Sequence, residues 1–231
     1  MILLPLLLQA ATPAAASACP NPDALPARAA AKRCEGMAAA GAAQWTAAAE
    51  AFTDAAGAAG AGAGKAAALW AQAGNAWLAA GEPAKAAAAL DTALVASQAQ
   101  TGFDRGELML DRARAAVGTG DLPGARRVLD QALTAVPTDP LAWLLSATLA
   151  RRAADPPRAA KDIAEALRLA PDDPAVQLEA GNIAATAGDE AKAKERWGEA
   201  ARLQPDGASG RAAKAALAQF EPSAGAGTPR R

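Results

Sequence analysis

Histidine and tyrosine are both missing from this sequence of 231 residues, and cysteine occurs only twice. Without His there is no imidazole for acid–base catalysis near neutral pH, no Ser-His or Cys-His nucleophile pair, and no His-ligated zinc or haem. No cofactor and no metal are expected. Aromatic residues make up 3% of the chain, and 23 basic side chains face 24 acidic ones for a net charge of −1. That balance leaves no concentrated basic face of the kind that nucleic acid or an anionic membrane demands. The hydrophobic share of 52% is inflated by 75 alanines, so large apolar side chains are too few for one big core. What the chain does have is the best helix former in quantity, small enough to let helices approach closely. An all-α chain built from many small contacts is expected.

Residues 1–22 carry no charged side chain and open with Ile2-Leu3-Leu4-Pro5-Leu6-Leu7-Leu8 before an Ala/Ser/Pro stretch. This resembles a secretory signal peptide. Ala16-Ser17-Ala18 supplies a small-x-small cleavage site, and the Pro-broken run is too short for a comfortable membrane-spanning helix. No Lys or Arg precedes the run, so only the α-amino group makes the start positive. An uncleaved anchor or a buried N-terminal helix is the competing reading. The expectation is that residues 1–18 are removed and that the mature protein is exported to a bacterial periplasm, with residues 19–28 as an N-terminal arm and no integral membrane span. In an oxidising compartment Cys19 and Cys34 can form a disulfide, worth about 3 kcal/mol in the chain-entropy model. The alternative is a lipid anchor at Cys19 of an outer-membrane lipoprotein. Such lipoproteins usually carry Leu three residues before the Cys, where this chain has Ala16.

A period of 34 residues organises the rest. Pro137, Pro171 and Pro205 are so spaced, as are Ala125, Ala159 and Ala193; Ala132, Ala166 and Ala200; Leu129, Ile163 and Trp197; and Asp121, Asp155 and Asp189. The pattern resembles the tetratricopeptide repeat, a helix–turn–helix unit of that length with a bulky residue at position 4, small ones at 8, 20 and 27, a bulky one at 24 and Pro at 32. The resemblance implies a right-handed α-solenoid of about five units, 29–62, 67–100, 106–139, 140–173 and 174–207. Lys32 in the first unit and Gln177 in the fifth depart from the bulky position 4, and Gly60 replaces the Pro of the first. Asp139-Pro140 and Asp173-Pro174 read as helix starts, and Gly81, Gly120, Ala154 and Gly188 lie in the turns within units. Gly57 to Gly64 and Thr101 to Arg105 read as linkers. Residues 208–220 are expected to form a capping helix and residues 221–231 a disordered tail.

Gly60-Ala61-Gly62-Ala63-Gly64-Lys65 lacks the first Gly, the Ser/Thr and the preceding strand of a phosphate loop. Asp172-Asp173 is read as a helix cap and the Trp residues at 70, 77, 143 and 197 as packing residues. In proteins of the resembled family the first helix of each unit lines a concave groove that binds peptides. Carried over by register, the candidate groove residues are Arg33, Met37, Asn75, Leu110, Arg114, Leu144, Thr148, Arg151, Arg152, Leu178 and Asn182. Asn can bond a peptide backbone with both donor and acceptor, and the three central arginines could hold a carboxylate. The carboxylate clamp of chaperone-binding relatives is not reproduced, since Ala71 stands four residues before Asn75. The expected function is a non-catalytic scaffold for a protein or peptide partner. The alternative is a self-associating or lipid-anchored envelope subunit, for which Trp45 is the candidate interface residue.

Overall fold

A computed structural model describes residues 19, 25–60, 64–98 and 105–220. The expected signal segment 1–18 and tail 221–231 lie outside them. Eleven helices follow one another among the described residues, with no strand: α1 (Ala27–Gly41), α2 (Trp45–Ala59), α3 (Gly64–Ala79), α4 (Pro83–Ala96), α5 (Arg105–Thr119), α6 (Leu122–Ala135), α7 (Pro140–Arg152), α8 (Pro156–Leu169), α9 (Pro174–Thr186), α10 (Glu190–Leu203) and α11 (Ala208–Ala218). Successive helices pair into five hairpins, each hairpin packs on the next, and α11 closes the series against α9 and α10. The chain is an all-α solenoid. Some boundaries differ from the sequence reading: α2 continues through Gly57 to Ala59, so that part of the Gly/Ala run is helix, α3 begins at Gly64 and α5 at Arg105, within the expected linkers, and α1 already begins at Ala27. Three alanines in the last turn of α2 carry the helix across Gly57, whose cost they offset.

The turn inside each hairpin needs one residue in the left-handed region. Gly81, Gly120 and Gly188 supply it at φ of +75°, +81° and +80°, and alanines occupy the same place at Ala43 (+56°) and Ala154 (+55°). Aspartates start the next helices by accepting backbone N–H bonds. Asp121 takes Gly124, Asp155 takes Arg158 and Asp189 takes Lys192, while Asp139 and Asp173 cap α7 and α9 ahead of their first-turn prolines.

Small residues set how closely the hairpin helices cross. A Cβ on Gly36, Gly74 or Gly181 would sit 2.7, 2.5 or 2.4 Å from the nearest atom of Phe52, Leu90 or Trp197. Each large side chain of the second helix therefore lies directly on the first helix's backbone. The alanines of the repeat columns, Ala86, Ala93, Ala125, Ala132, Ala159, Ala166, Ala193 and Ala200, are all fully or almost fully buried. With the buried Leu, Ile, Phe and Trp side chains they stabilise the stack, since apolar area removed from water contributes roughly 25 cal/mol per Å².

Polar groups tie neighbouring hairpins together. Trp143 donates from Nε1 to the Pro137 carbonyl at 2.8 Å, and Gln177 donates from Nε2 to the Pro171 carbonyl at 2.6 Å. The departure at Gln177 is thereby explained: an amide N–H replaces the indole N–H toward the same carbonyl one unit along. A second tie is buried. Asp162 (1% exposed) accepts from Ser146, which accepts from Arg126 at 2.7 Å, while Arg158 reaches Asp162 at 3.2 Å and also pairs with Asp130. Burial is the largest cause holding Arg126 below the ordinary arginine value, and the neighbouring Arg158 charge acts the same way. At the other end, Leu25 of the arm packs with Ala29, Ala55, Ala56 and Leu69. Cys19 and Cys34 have Cα atoms 5.7 Å apart, within the span of a disulfide, and Met37 Sδ lies 4.0 Å from Cys19 Sγ.

Candidate functional site

The first helices of the second, third and fourth hairpins, α3, α5 and α7, share one face on which two hollows adjoin. The larger, about 400 Å³, is polar and is lined by Asn75 of α3, Glu107, Leu110, Asp111 and Arg114 of α5, Asp139 and Leu141. The smaller, about 190 Å³, is lined by Ala113, Arg114 and Val117 of α5, Leu129 of α6, and Leu145, Thr148, Leu149 and Arg152 of α7. Arg114 belongs to both and forms the ridge between them. Its guanidinium is held by Asp111 three residues earlier, a spacing that brings two side chains together on a helix surface.

This geometry sorts the eleven residues named by register. Asn75, Leu110, Arg114, Thr148 and Arg152 line the paired hollows, with Leu110 forming buried floor at 1% exposure. Leu144 and Leu178 are half-buried against the cores of the fourth and fifth hairpins. Arg151 is spent on Glu179, which it holds through Nε at 2.7 Å and its terminal nitrogen at 3.2 Å. Asn182 is likewise engaged: it donates to Glu179 at 3.1 Å and accepts from Trp197 Nε1 at 3.0 Å. These two side chains fasten α7, α9 and α10 to each other. Met37 is exposed beside Cys19, and Arg33 is half-buried on the same helix.

The basic spot expected from Arg114, Arg151 and Arg152 therefore shrinks to one. Arg114 and Arg151 are paired, and only Arg152 stands exposed without an ion-pair partner among the described residues, in the last turn of α7. Three carboxylates, Glu107, Asp111 and Asp139, gather around the polar hollow instead. Asp111 and Asp139, and the apolar lining Leu145 and Leu149, were outside the register-based set. The Asp111–Arg114 spacing and the Asp-Pro cap were the sequence signals that could have placed the two acids. A third, apolar hollow of about 150 Å³ lies near the turn edge between Arg151, Ala154, Pro156, Ala159, Ala160 and the end of α9. The Trp residues are packing residues first: Trp77 and Trp197 are buried, and Trp70 and Trp143 are half-buried, leaving Trp45 exposed at 39%. Among the described residues there is no cluster of acidic or sulfur side chains that could hold a metal, and no helix long and apolar enough to cross a membrane.

No curated protein matches the sequence. Among solved structures, MamA 41-end from Desulfovibrio magneticus RS-1 superposes with a TM-score of 0.66 at 15% identity, over 80% of this chain and 99% of that one. The Pseudomonas aeruginosa pilF structure gives 0.63 at 15% identity, over 83% of each chain. YrrB, described as a TPR protein with an unusual peptide-binding site, gives 0.58 at 19% identity, over 79% of this chain and 88% of that one. At these identities the likeness is one of fold. The tetratricopeptide repeat family model matches residues 110–174 and again 144–209, so most of α5 and all of α6 through α10 carry the family's sequence pattern as well as its shape. Residues 110–209 thus match the tetratricopeptide repeat family, and the series of hairpins has its fold, one that supports a protein–protein interaction scaffold.

Proposed function

We propose that this protein is a non-catalytic scaffold that holds an extended segment of a partner protein on the face formed by α3, α5 and α7. The observation that carries this reading is the continuity of the polar and apolar hollows across Arg114. A peptide laid there meets polar groups for its backbone and an apolar seat for a side chain, the combination that small ligand sites use. To test it, a photo-reactive amino acid is placed at Asn75, at Thr148 and, as a control, at the exposed Lys161 of α8, and the protein is irradiated in its native envelope. Capture of the same partner from Asn75 and Thr148 but not from Lys161 is expected. Equal capture from all three positions overturns the groove reading.

The same reading places the protein in a bacterial periplasm, on the strength of the uncharged apolar start and the small-residue site at Ala16-Ser17-Ala18. In that compartment Cys19 and Cys34 are joined, tethering the N-terminal arm to α1. Mass spectrometry of the mature N-terminus distinguishes this from a lipid anchor: a diacyl adduct on Cys19 rules the disulfide out. A second reading, self-association, is favoured by Trp45 and Met37, which are exposed on the first hairpin at 39% and 44%. Sedimentation at high concentration decides between them, because a strict monomer counts against assembly through that end.

A further inference from the structure

We propose that the occupant of this face is an extended segment that places a lysine or arginine in the polar hollow and, two or four residues away, a leucine, isoleucine, methionine or phenylalanine in the apolar one. The proposal rests on the groove reading and names the chemistry of its partner. Charge complementarity is the first argument. Glu107, Asp111 and Asp139 line the polar hollow against a single guanidinium, Arg114, which Asp111 already holds. An entering carboxylate meets net negative charge, whereas an entering cation has carboxylates to approach. The rim suits a long basic side chain in particular. Leu141, an apolar side chain left 38% exposed, offers its surface to the methylenes of a Lys or Arg whose head group reaches the acids.

The second argument is size and spacing. A hollow of about 190 Å³, walled by Val117, Leu145 and Leu149, matches one aliphatic or aromatic side chain; engineered apolar cavities of about 150 Å³ hold benzene. On α5 the polar hollow takes residues 107–114 and the apolar one 113–117, with centres about four to five residues apart, while on α7 and its cap they take 139–141 and 145–152, with centres about eight to nine apart. At 1.5 Å of rise per residue that is roughly 7 Å along α5 and 13 Å along α7. An extended chain advances about 3.3 Å per residue and turns alternate side chains to the same side, so residues i and i+2 lie about 7 Å apart and i and i+4 about 13 Å apart, each pair facing the groove together.

The experiment is selection of random linear heptapeptides on the full mature chain, followed by calorimetry of the strongest peptide against variants checked for an unchanged helical spectrum. Glu107→Gln with Asp139→Asn removes two charges while Asn preserves the helix cap, and Thr148→Trp fills the apolar hollow. The expected outcome is enrichment of a basic residue two or four positions from a large apolar one, binding weakened about tenfold by the charge variant and lost with Thr148→Trp. Replacing the peptide's basic residue by Glu should abolish binding to the native chain and restore part of it toward Glu107→Lys. Peptides that lack a basic residue yet lose binding with Thr148→Trp overturn this proposal and leave the groove reading standing. Selected peptides indifferent to both variants overturn the groove reading with it. A selection that enriches nothing above an unrelated helical protein also overturns the proposal.

Discussion

Ala43 and Ala154 sit in the left-handed conformation that glycine occupies at Gly81, Gly120 and Gly188. A Cβ there crowds the following carbonyl at a cost of roughly 1–2 kcal/mol, against which glycine's extra unfolded-state freedom counts about 0.5–1. Ala154→Gly should therefore raise stability by about 0.5–1 kcal/mol, read as a melting temperature higher by a few degrees. A lower melting temperature would show that the turn is not strained. The opposite sign is expected at Gly181→Ala, where the new methyl would meet the Trp197 ring at 2.4 Å. The ring is pinned by its bond to Asn182, so overpacking of about 1–3 kcal/mol should follow, visible as a lower urea midpoint. Gln177 shows why a single residue type is a weaker signal than the bond it makes. The repeat pattern marks it as a departure, yet its amide serves the carbonyl that the Trp143 indole serves one unit earlier.

Between elements, the buried group of Asp162, Ser146, Arg126 and Arg158 ties α6, α7 and α8 together. Asp162→Ala should cost about 1–3 kcal/mol because Ser146 and two half-buried guanidinium groups lose a buried acceptor, while Asp130 still pairs with both arginines. Denaturant titration checks the magnitude, and a loss under about 1 kcal/mol would mean that water takes the carboxylate's place. The helices themselves were legible in the sequence, because turn residues, aspartate caps and small crossing residues recur every 34 positions and each acts within its own unit. The ties between units were not. Arg151 and Asn182 occupy positions that face a groove in the family, but Glu179 lies within reach of both and draws them into the scaffold. Periodicity says which face a side chain leaves from, and only the partner 28 residues away on the next hairpin decides where it ends. The charge of the candidate site is a different case: Asp111 stands one turn before Arg114 on α5, a spacing present in the sequence, and holds its guanidinium.

At the scale of the molecule, a solenoid is stabilised by each hairpin and its junctions with neighbours, so damage at one end propagates only as far as the next junctions carry it. α11 protects the last hairpin: Phe220 lies 5.4 Å from the Trp197 ring, and Ala213 is buried with Ala184, Ala193 and Ala200. Ending the chain at residue 207 should speed amide hydrogen exchange in α9 and α10 by more than tenfold while leaving α3 and α4 unchanged. A uniform acceleration along the whole chain would mean that the hairpins unfold as one cooperative body. The five tryptophans turn this layout into an optical instrument. With no tyrosine in the chain, emission excited at short wavelength comes from indoles alone, and they are spread along the stack from exposed Trp45 in the first hairpin to buried Trp197 in the fifth. Single-tryptophan variants would therefore report, by colour, from which end the spiral frays first.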